Sequence, residues 1–324
     1  MLLKYNGLPM TLRKSASSEG MGIRLRVAEK TLLAFFAALL IASFTLPLPG
    51  ATRAALALLN VMVCCVVVAL SMDDVVEGNR LPSTLRDWLP ACLMLLAYRE
   101  SGLFIKPDPA HRLDHLFILW DRWLLQRQSV EGLLEACAPW LQHYLEMCYL
   151  FCYPLVPLGF AALYLARHSI AAQHEPRGRR LEADVRRQSI SLPAMIDRFW
   201  TTVLLATLFC YAIYPAFPLT PPRVLFNDVP GPPVPPLLRH MNLWILDRLS
   251  VQVCVFPSAH AAAVTATGLA VRAYMPRLGI LFCIAALSVA AATVYGRYHY
   301  AADAVAGVLV GVAAFVVSRR IHRA

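Results

Sequence analysis

Charged residues are scarce in this chain. Only 15% of the 324 residues are Asp, Glu, Lys or Arg, whereas 58% are hydrophobic. Soluble domains carry about 25% charged residues, so the shortage excludes an ordinary soluble domain. Runs of about 17–25 apolar residues are long enough to cross a bilayer. Eight such runs are present: Thr31–Leu48, Ala54–Leu70, Trp88–Ile105, Pro139–Ala166, Phe199–Phe217, Ala259–Tyr274, Leu278–Tyr295 and Ala301–Ser318. The sequence therefore predicts an all-α polytopic membrane protein with about eight transmembrane helices.

Metal-binding cysteine motifs are also missing, and no signal-peptide cleavage site is evident after the first apolar run. Most of the nine cysteines lie inside the predicted spans without metal-ligand spacing, which indicates small buried apolar residues. Cys137 and Cys254 lie in segments predicted to face the same side, and the sequence leaves open whether they pair. The first run follows about 30 polar and charged residues and has no small-residue cleavage site. We therefore expect a retained span.

The basic residues indicate the orientation in the membrane. They cluster in residues 1–30, 167–198, 272–277 and 319–323, which an even number of spans places on one side. Short segments rich in Lys and Arg remain cytoplasmic. This distribution accounts for the formal net charge of +10 without a nucleic-acid partner. We expect a plasma or inner membrane protein with cytoplasmic termini and extracytoplasmic loops after residues 105, 217 and 295.

Three regions are predicted along the chain: a cytoplasmic arm (1–30), a transmembrane hairpin (31–87) and a catalytic membrane domain (88–324). Within the last, Leu113–Leu125 has apolar residues at helical spacing, typical of an amphipathic helix in the membrane interface. The stretch Pro218–Val255 is rich in proline, and we expect little regular helix there.

Three short motifs carry the chemistry. Pro-Pro-Arg ends at Arg223, Pro-Ser-Ala-His ends at His260, and His-Tyr-Ala-Ala-Asp runs from His299 to Asp303. Two spans and a turn fit between the two histidines, so both return to the extracytoplasmic side. Ser258 and His260 would lie beside free backbone N–H groups at a helix start, which bind anions. His299 and Asp303, four apart, share a helical face. Together these groups are typical of a site that cleaves or transfers a phosphate ester.

These motifs resemble those of the type 2 phosphatidic acid phosphatase (PAP2) superfamily, and most closely its inositol phosphorylceramide synthase branch. The resemblance covers roughly residues 88–318, with a six-helix catalytic core. It implies that His299 is the nucleophile forming a phosphohistidine, that Asp303 orients it, and that His260 is the general acid and later the base. Arg223 and Ser258 would bind the phosphate. No metal and no cofactor are implied.

The chain departs from the superfamily pattern at two positions. Ala216 stands where the superfamily has a lysine, and Thr293 stands where it has a second arginine. Arg297, two positions before His299, could supply the missing charge as a phosphate ligand. These departures resemble the transferase branch more than a simple phosphatase.

A candidate headgroup pocket lies near the outer ends of the third and fourth spans. Its residues would be Arg99, Glu100, His143 and Glu146. Ionisable residues within spans often mark function, but salt bridges and helix contacts explain them equally well. Tyr295, Tyr298 and Tyr300 are interpreted as interfacial aromatic residues rather than ligands.

The sequence predicts a lipid phosphotransferase or phosphatase acting at the extracytoplasmic face. The expected partners are a lipid substrate in the bilayer and, for transfer, an alcohol acceptor. Simple hydrolysis of a lipid phosphate or polyprenyl phosphate is the first alternative. A transporter or lipid-binding scaffold without catalysis is the second, and a membrane-bound sugar phosphatase is a third. The sequence gives no indication of oligomeric state.

Overall fold

The computed structural model describes residues 22–72, 80–106, 112–123, 139–173, 191–226, 236–251 and 253–323. Cys137, one half of the candidate disulfide, lies outside these residues. Within them, the N-terminal part forms helices α1 (Val27–Thr45), α2 (Gly50–Leu70), α3 (Arg80–Gly102), α4 (Arg112–Asp121) and α5 (Pro139–Gln173). The remainder forms α6 (Leu192–Ile213), a 3-10 turn (Tyr214–Ala216), β1 (Pro218–Leu219), α7 (Pro222–Leu225), α8 (Pro236–Leu249), β2 (Cys254–Val255), α9 (Ala259–Tyr274), α10 (Pro276–Tyr295) and α11 (Ala301–Ile321).

The prediction of an all-α polytopic membrane protein is confirmed. A helix occupies each of the eight predicted spans, and in the described residues six are long and apolar enough to cross a bilayer: α1, α2, α5, α6 with its 3-10 turn, α10 and α11. Of the other two, α9 has only 16 residues. At 1.5 Å per residue it is about 24 Å long. Helix α3 begins at Arg80, eight residues before the predicted span Trp88–Ile105.

Helices α6 and α9 form the centre of the bundle. Most side chains of α6 are buried, and α9 buries a nearly continuous face of Ala, Val and Thr. Helices α5, α6, α10 and α11 pack around α9. Small residues let helices approach closely in a membrane, where lipid contacts are as apolar as side-chain contacts. The outward faces carry exposed Leu, Ile and Val side chains such as Leu165 and Leu309, as expected for lipid contact.

Glycines of α11 set its distance from α9. A Cβ atom at Gly307 would lie 2.3 Å from the carbonyl oxygen of Ser258, and one at Gly311 would lie 2.7 Å from that of Ala262. The Gly-x-x-x-Gly spacing therefore brings two successive turns of α11 against the first turns of α9. Because both histidine motifs lie at this end, the close approach positions the candidate site.

A polar cluster ties the opposite end of the bundle together. Arg86 forms a two-point ion pair with Glu29, with Nε–Oε1 at 2.6 Å and Nη2–Oε2 at 2.8 Å. Arg26 pairs with Asp87 at 2.6 Å. The Trp200 indole donates to the carbonyl of Asp87. These contacts join the starts of α1, α3 and α6, and they explain why α3 extends beyond its apolar run.

The expectation of little helix between Pro218 and Val255 was wrong for its second half. Helix α8 contains 14 residues. Its single proline, Pro236, is the first helical residue, where the missing N–H costs no hydrogen bond. Residues 237–249 contain no proline, so the preceding proline-rich stretch does not prevent this helix.

Candidate active site

The motif at the start of α9 is built around a helix cap. Ser258 is the N-cap residue, and its hydroxyl oxygen accepts the backbone N–H of Ala261 at 3.4 Å. Serine is a preferred N-cap because it satisfies one of the free N–H donors of the first turn. Ser258 is fully buried, so its hydroxyl lies beneath the site. His260 follows in the first helical turn and is half-buried.

The motif at the start of α11 is fixed by backbone hydrogen bonds. Arg297 has a positive φ of 56°, which reverses the chain after α10. The N–H groups of Tyr298 and His299 then both donate to the carbonyl of Thr293, at 2.9 and 3.0 Å. Asp303 Oδ2 accepts the Tyr300 N–H at 3.2 Å and lies 3.4 Å from His299 Nδ1. One carboxylate therefore both caps α11 and contacts the His299 ring.

The two histidines face each other. His260 Nδ1 and His299 Nε2 are 3.5 Å apart. With the contact to Asp303, this makes a series of three groups in which Nδ1 of His299 meets the carboxylate and Nε2 meets the other imidazole. A carboxylate at Nδ1 fixes the tautomer that leaves Nε2 with its lone pair. The rings of Tyr149 and Tyr153 pack edge-on against His260.

Backbone bonds join all three sequence motifs. The N–H of Arg223 donates to the carbonyl of Arg297 at 2.9 Å, and the N–H of Ser258 donates to the carbonyl of Asp303 at 3.1 Å. The short antiparallel pair β1–β2 places the segment before Arg223 beside the segment before Ser258. The motifs thus meet through main-chain contacts, which hold their relative positions independently of side-chain rotamers.

A cavity of about 540 Å³ opens beside the two histidines. It lies within the size range of small-molecule sites. Arg223, His260 and His299 contribute to its polar end. Most of the remaining lining comes from α3, α5, α6 and α8, and includes Met94, Leu95, Tyr98, Tyr149, Leu150, Tyr153, Tyr211, Ile245, Leu246 and Leu249. A cation and two imidazoles at one end of an apolar chamber suit a phosphate ester with an apolar substituent.

The remaining predicted phosphate ligands occupy other positions. Arg297 is half-buried and is absent from the described cavity lining, and its backbone carbonyl holds Arg223 in place. Ser258 likewise acts through its backbone and its cap. Of the groups predicted to bind phosphate, Arg223 is the one that the structure places at the cavity beside the histidines.

The four candidate headgroup residues do not form one pocket. Exposed Arg99 donates to the carbonyl of Leu249 in α8 at 2.9 Å. Glu100 accepts from the Asn60 amide at 2.8 Å, inside the contact between α2 and α3. His143 contacts the carbonyl of Pro139 within its own helix. None of the three lines the described cavity, because each engages a neighbouring turn or helix instead.

Glu146, the fourth candidate, is the centre of a buried network behind His299. Its carboxylate accepts the Tyr298 hydroxyl at 2.7 Å and the Asn242 amide at 2.7 Å, and it lies 3.3 Å from Arg239 Nη1. Arg239 also donates to the carbonyl of Gly296 at 2.6 Å. The Tyr298 ring stacks on Tyr149 at 3.7 Å. The network joins α5 and α8 to the loop that carries His299.

The interpretation of Tyr298 and Tyr300 as interfacial residues was wrong. Both are buried, with 2% and 1% of their surface exposed. The Tyr300 hydroxyl donates to the carbonyl of Thr220 at 3.1 Å, and the Tyr300 ring packs on Phe117 of α4. The loop before α11 is therefore held by side-chain contacts with three other segments of the chain.

Two carboxylates of α4 support the site, and sequence reasoning missed both. Asp114 accepts the Thr220 N–H at 2.8 Å, three residues before Arg223. Asp121 accepts the Ala301 N–H at 2.9 Å, at the first turn of α11. Burial, together with the nearby Asp303 carboxylate, raises the pKa of Asp121 to about 7. The backbone N–H groups of Ala302 and Ala301 act in the opposite direction, because they stabilise the carboxylate. The predicted amphipathic helix is thus present, and one side of it packs on the motif loops.

Residues 190–317 match the family model of the PAP2 superfamily. This segment is less than half of the chain and includes Arg223, His260, His299 and Asp303. The match supports phosphatase or phosphotransferase chemistry in general, and it is narrower than the resemblance over residues 88–318. It does not single out the inositol phosphorylceramide synthase branch. No curated protein and no solved structure matches the chain.

Proposed function

We propose that this protein is a membrane enzyme that cleaves or transfers a phosphate-linked group of a lipid through a phosphohistidine on His299. The observation that carries the proposal is the contact series from Asp303 through His299 to His260, whose two histidines line a largely apolar cavity. Asp303 contacts Nδ1 of His299, and Nε2 of His299 contacts the His260 ring. Covalent catalysis requires a nucleophile, a group that orients it and a neighbouring acid or base, and His299, Asp303 and His260 would supply these in turn.

In the first step, Nε2 of His299 attacks phosphorus while the bond from phosphorus to the leaving oxygen breaks. That oxygen takes a proton from His260. Asp303, at Nδ1, stabilises the charge that the imidazole gains. The leaving oxygen departs on the side opposite the attacking nitrogen. The two rings touch in this structure, so they must separate when a phosphoryl group enters.

In the second step, water or an alcohol attacks the phosphohistidine. His260, now neutral, takes the proton of the attacking hydroxyl, and the bond between phosphorus and nitrogen breaks. Both outcomes share the covalent intermediate, so only the acceptor distinguishes hydrolysis from transfer. We favour transfer because the compact third motif resembles the transferase branch. The scheme is metal-independent, since His299 supplies the nucleophile.

Arg223 is the proposed phosphate ligand. Its backbone is fixed by Arg297, and its side chain lines the cavity with both histidines. A guanidinium offers two parallel N–H groups to two phosphate oxygens. The free N–H groups of the first α9 turn add further donors close to His260. These groups would neutralise the charge that develops on phosphorus-bound oxygens in both steps.

The substrate class follows from the cavity lining. Away from the histidines and Arg223, no described lining residue is charged, and most are aliphatic or aromatic. Tyrosine hydroxyls and Ser250 are the polar groups of this wall, whereas its larger apolar part is the kind of surface that a lipid chain requires. This favours a lipid phosphate or phospholipid over the sugar phosphatase alternative.

The proposed role of His260 is tested with two leaving groups. His260→Ala should lower the rate strongly for a lipid substrate, because a simple alcohol needs a proton to depart. A p-nitrophenyl phosphodiester needs little protonation and should recover part of the rate. Equal loss on both substrates would contradict the acid role. A panel of labelled lipid phosphates and phospholipids, with and without alcohol acceptors, then identifies the reaction. Absence of turnover on the whole panel would favour the scaffold alternative.

We also propose that the site faces the extracytoplasmic side. The starts of α9 and α11 form the site, whereas their ends lie with the arginine-rich segments. Cysteines introduced at exposed His240 and exposed Arg320 test this. In intact cells an impermeant maleimide should label the first variant above the unmodified chain and the second only after permeabilisation. The reverse pattern would overturn the orientation.

A further inference from the structure

A second cavity lies at the end of the bundle opposite the histidines. It has a volume of about 440 Å³ between the start of α6 and the ends of α9 and α11. The 14 residues from His260 to Tyr274 correspond to about 21 Å along α9. The cavity is therefore separate from the candidate active site, although the same three helices form both.

The lining of this cavity combines positive charge with an apolar wall. Its cationic members are Arg198, Arg272, Arg319 and Arg323, with His322 beside them. Its apolar members include Phe199, Leu269, Ala270, Ala273 and Phe315. No described lining residue is acidic. Like charges around one cavity repel each other, and an anion among them would offset this repulsion.

Arg198 is held in place by neighbouring lining residues. Arg198 Nη2 donates to the carbonyl of His322 at 3.3 Å, and the Arg198 side chain also forms a hydrogen bond with Tyr274, another lining residue. The preceding carboxylate, Asp197, is used elsewhere: it accepts the N–H groups of Val27 and Ala28 at 3.1 and 2.8 Å. This carboxylate is therefore committed to the start of α1.

We propose that this cavity binds the phosphate of an anionic phospholipid from the leaflet at this end of the bundle. Arginines recognise phosphate oxygens through paired donors, and basic pockets between transmembrane helices take anionic head groups. Phe199, Leu269 and Phe315 give the glycerol and upper acyl carbons an apolar surface. A free phosphate ion would use the arginines but not this wall. The site would recognise a lipid that is not the substrate.

The test compares two charge-matched double variants. Arg272→Gln with Arg319→Gln removes two cavity arginines. Arg277→Gln with Arg320→Gln removes two arginines from the same end that are not in the described lining. Native mass spectrometry of the detergent-solubilised protein, titrated with phosphatidylglycerol or phosphatidylcholine, measures the bound lipid. A second titration adds inorganic phosphate as competitor.

We expect the unmodified chain to bind phosphatidylglycerol at least tenfold more tightly than phosphatidylcholine. The cavity variant should lose most of this preference, the control variant should keep it, and millimolar phosphate should not displace the lipid. Equal loss in both variants would overturn the proposal in favour of general surface charge. Complete displacement by phosphate would overturn the lipid assignment. If the cavity variant does not fold, Arg319→Gln alone, at an exposed position, must still weaken binding relative to Arg320→Gln.

Discussion

Replacement of Gly307 by alanine should move the two histidine motifs apart. The new Cβ atom would lie 2.3 Å from the carbonyl oxygen of Ser258 and 2.9 Å from Cβ of Ala261, whereas ordinary contact begins near 3.4 Å. The backbone of Ser258 cannot rotate away as a flexible side chain can. Relief of the overlap therefore requires α11 to shift from α9 by about 1 Å, which is the difference between the 2.3 Å separation and ordinary contact near 3.4 Å.

The shift would lengthen the contact between the two histidine rings, whose separation is already at the upper end of hydrogen-bond distances. His260 and His299 are 3.5 Å apart; His260 lies on α9, and His299 lies two residues before α11 and contacts Asp303 of that helix. A misplacement of 1 Å in a catalytic group can cost about a hundredfold in rate. We expect kcat to fall between tenfold and a hundredfold, or about 1.4–2.7 kcal/mol. Overpacking should also lower stability by about 1–3 kcal/mol.

The assay is kcat on the best lipid substrate in mixed micelles, with the melting temperature measured on the same sample. Gly50→Ala is the matched control, because nothing lies within 4 Å of a Cβ atom at that position. It should leave both quantities unchanged. A Gly307→Ala variant that folds and keeps full kcat would refute the argument that the distance between α9 and α11 sets the site geometry.

Other substitutions separate the roles of neighbouring groups. Arg223→Lys should lower kcat/KM about tenfold or more, because the charge remains but the paired donors are lost; equal kcat/KM would remove Arg223 as the phosphate ligand. Glu146→Ala should lower stability by about 3 kcal/mol, because Arg239 loses its buried partner, without changing KM; a raised KM at unchanged melting temperature would restore Glu146 to a headgroup pocket. Because burial raises the pKa of Asp121 to about 7, its contribution to stability is complete below pH about 4 and is lost as the pH rises through 7. Asp121→Asn should therefore make the melting temperature depend less on pH between pH 4 and 8. An unchanged pH dependence would contradict this.

Span counting from the sequence predicted which motifs meet. Because the stretch from His260 to His299 holds two spans, both histidines return to one side, and the structure places them in contact. The spacing of His299 and Asp303 indicated their contact, but the expected shared helical face was wrong, because His299 lies before the Tyr300 N-cap of α11. Such inferences succeed because helix periodicity and membrane thickness leave few alternatives.

The supporting residues could not be predicted, because their partners are distant in sequence. Glu146 and Tyr298 are 152 positions apart, and Asp121 and Ala301 are 180 apart. No local pattern distinguishes a carboxylate that binds a distant loop from one that faces a lipid head group. For Glu100, the same ambiguity concealed its bond to Asn60 between two helices.

The proposal that His299 is the nucleophile is tested most directly by trapping its phosphorylated form. The purified protein is incubated with a substrate labelled at phosphorus, quenched, digested and mapped by mass spectrometry. We expect an acid-labile, base-stable adduct on the peptide carrying His299. It should be absent in His299→Ala and should persist in His260→Ala when the leaving group is activated, because release then lacks its base. Full turnover by His299→Ala, or an adduct on another residue, would contradict the proposed mechanism.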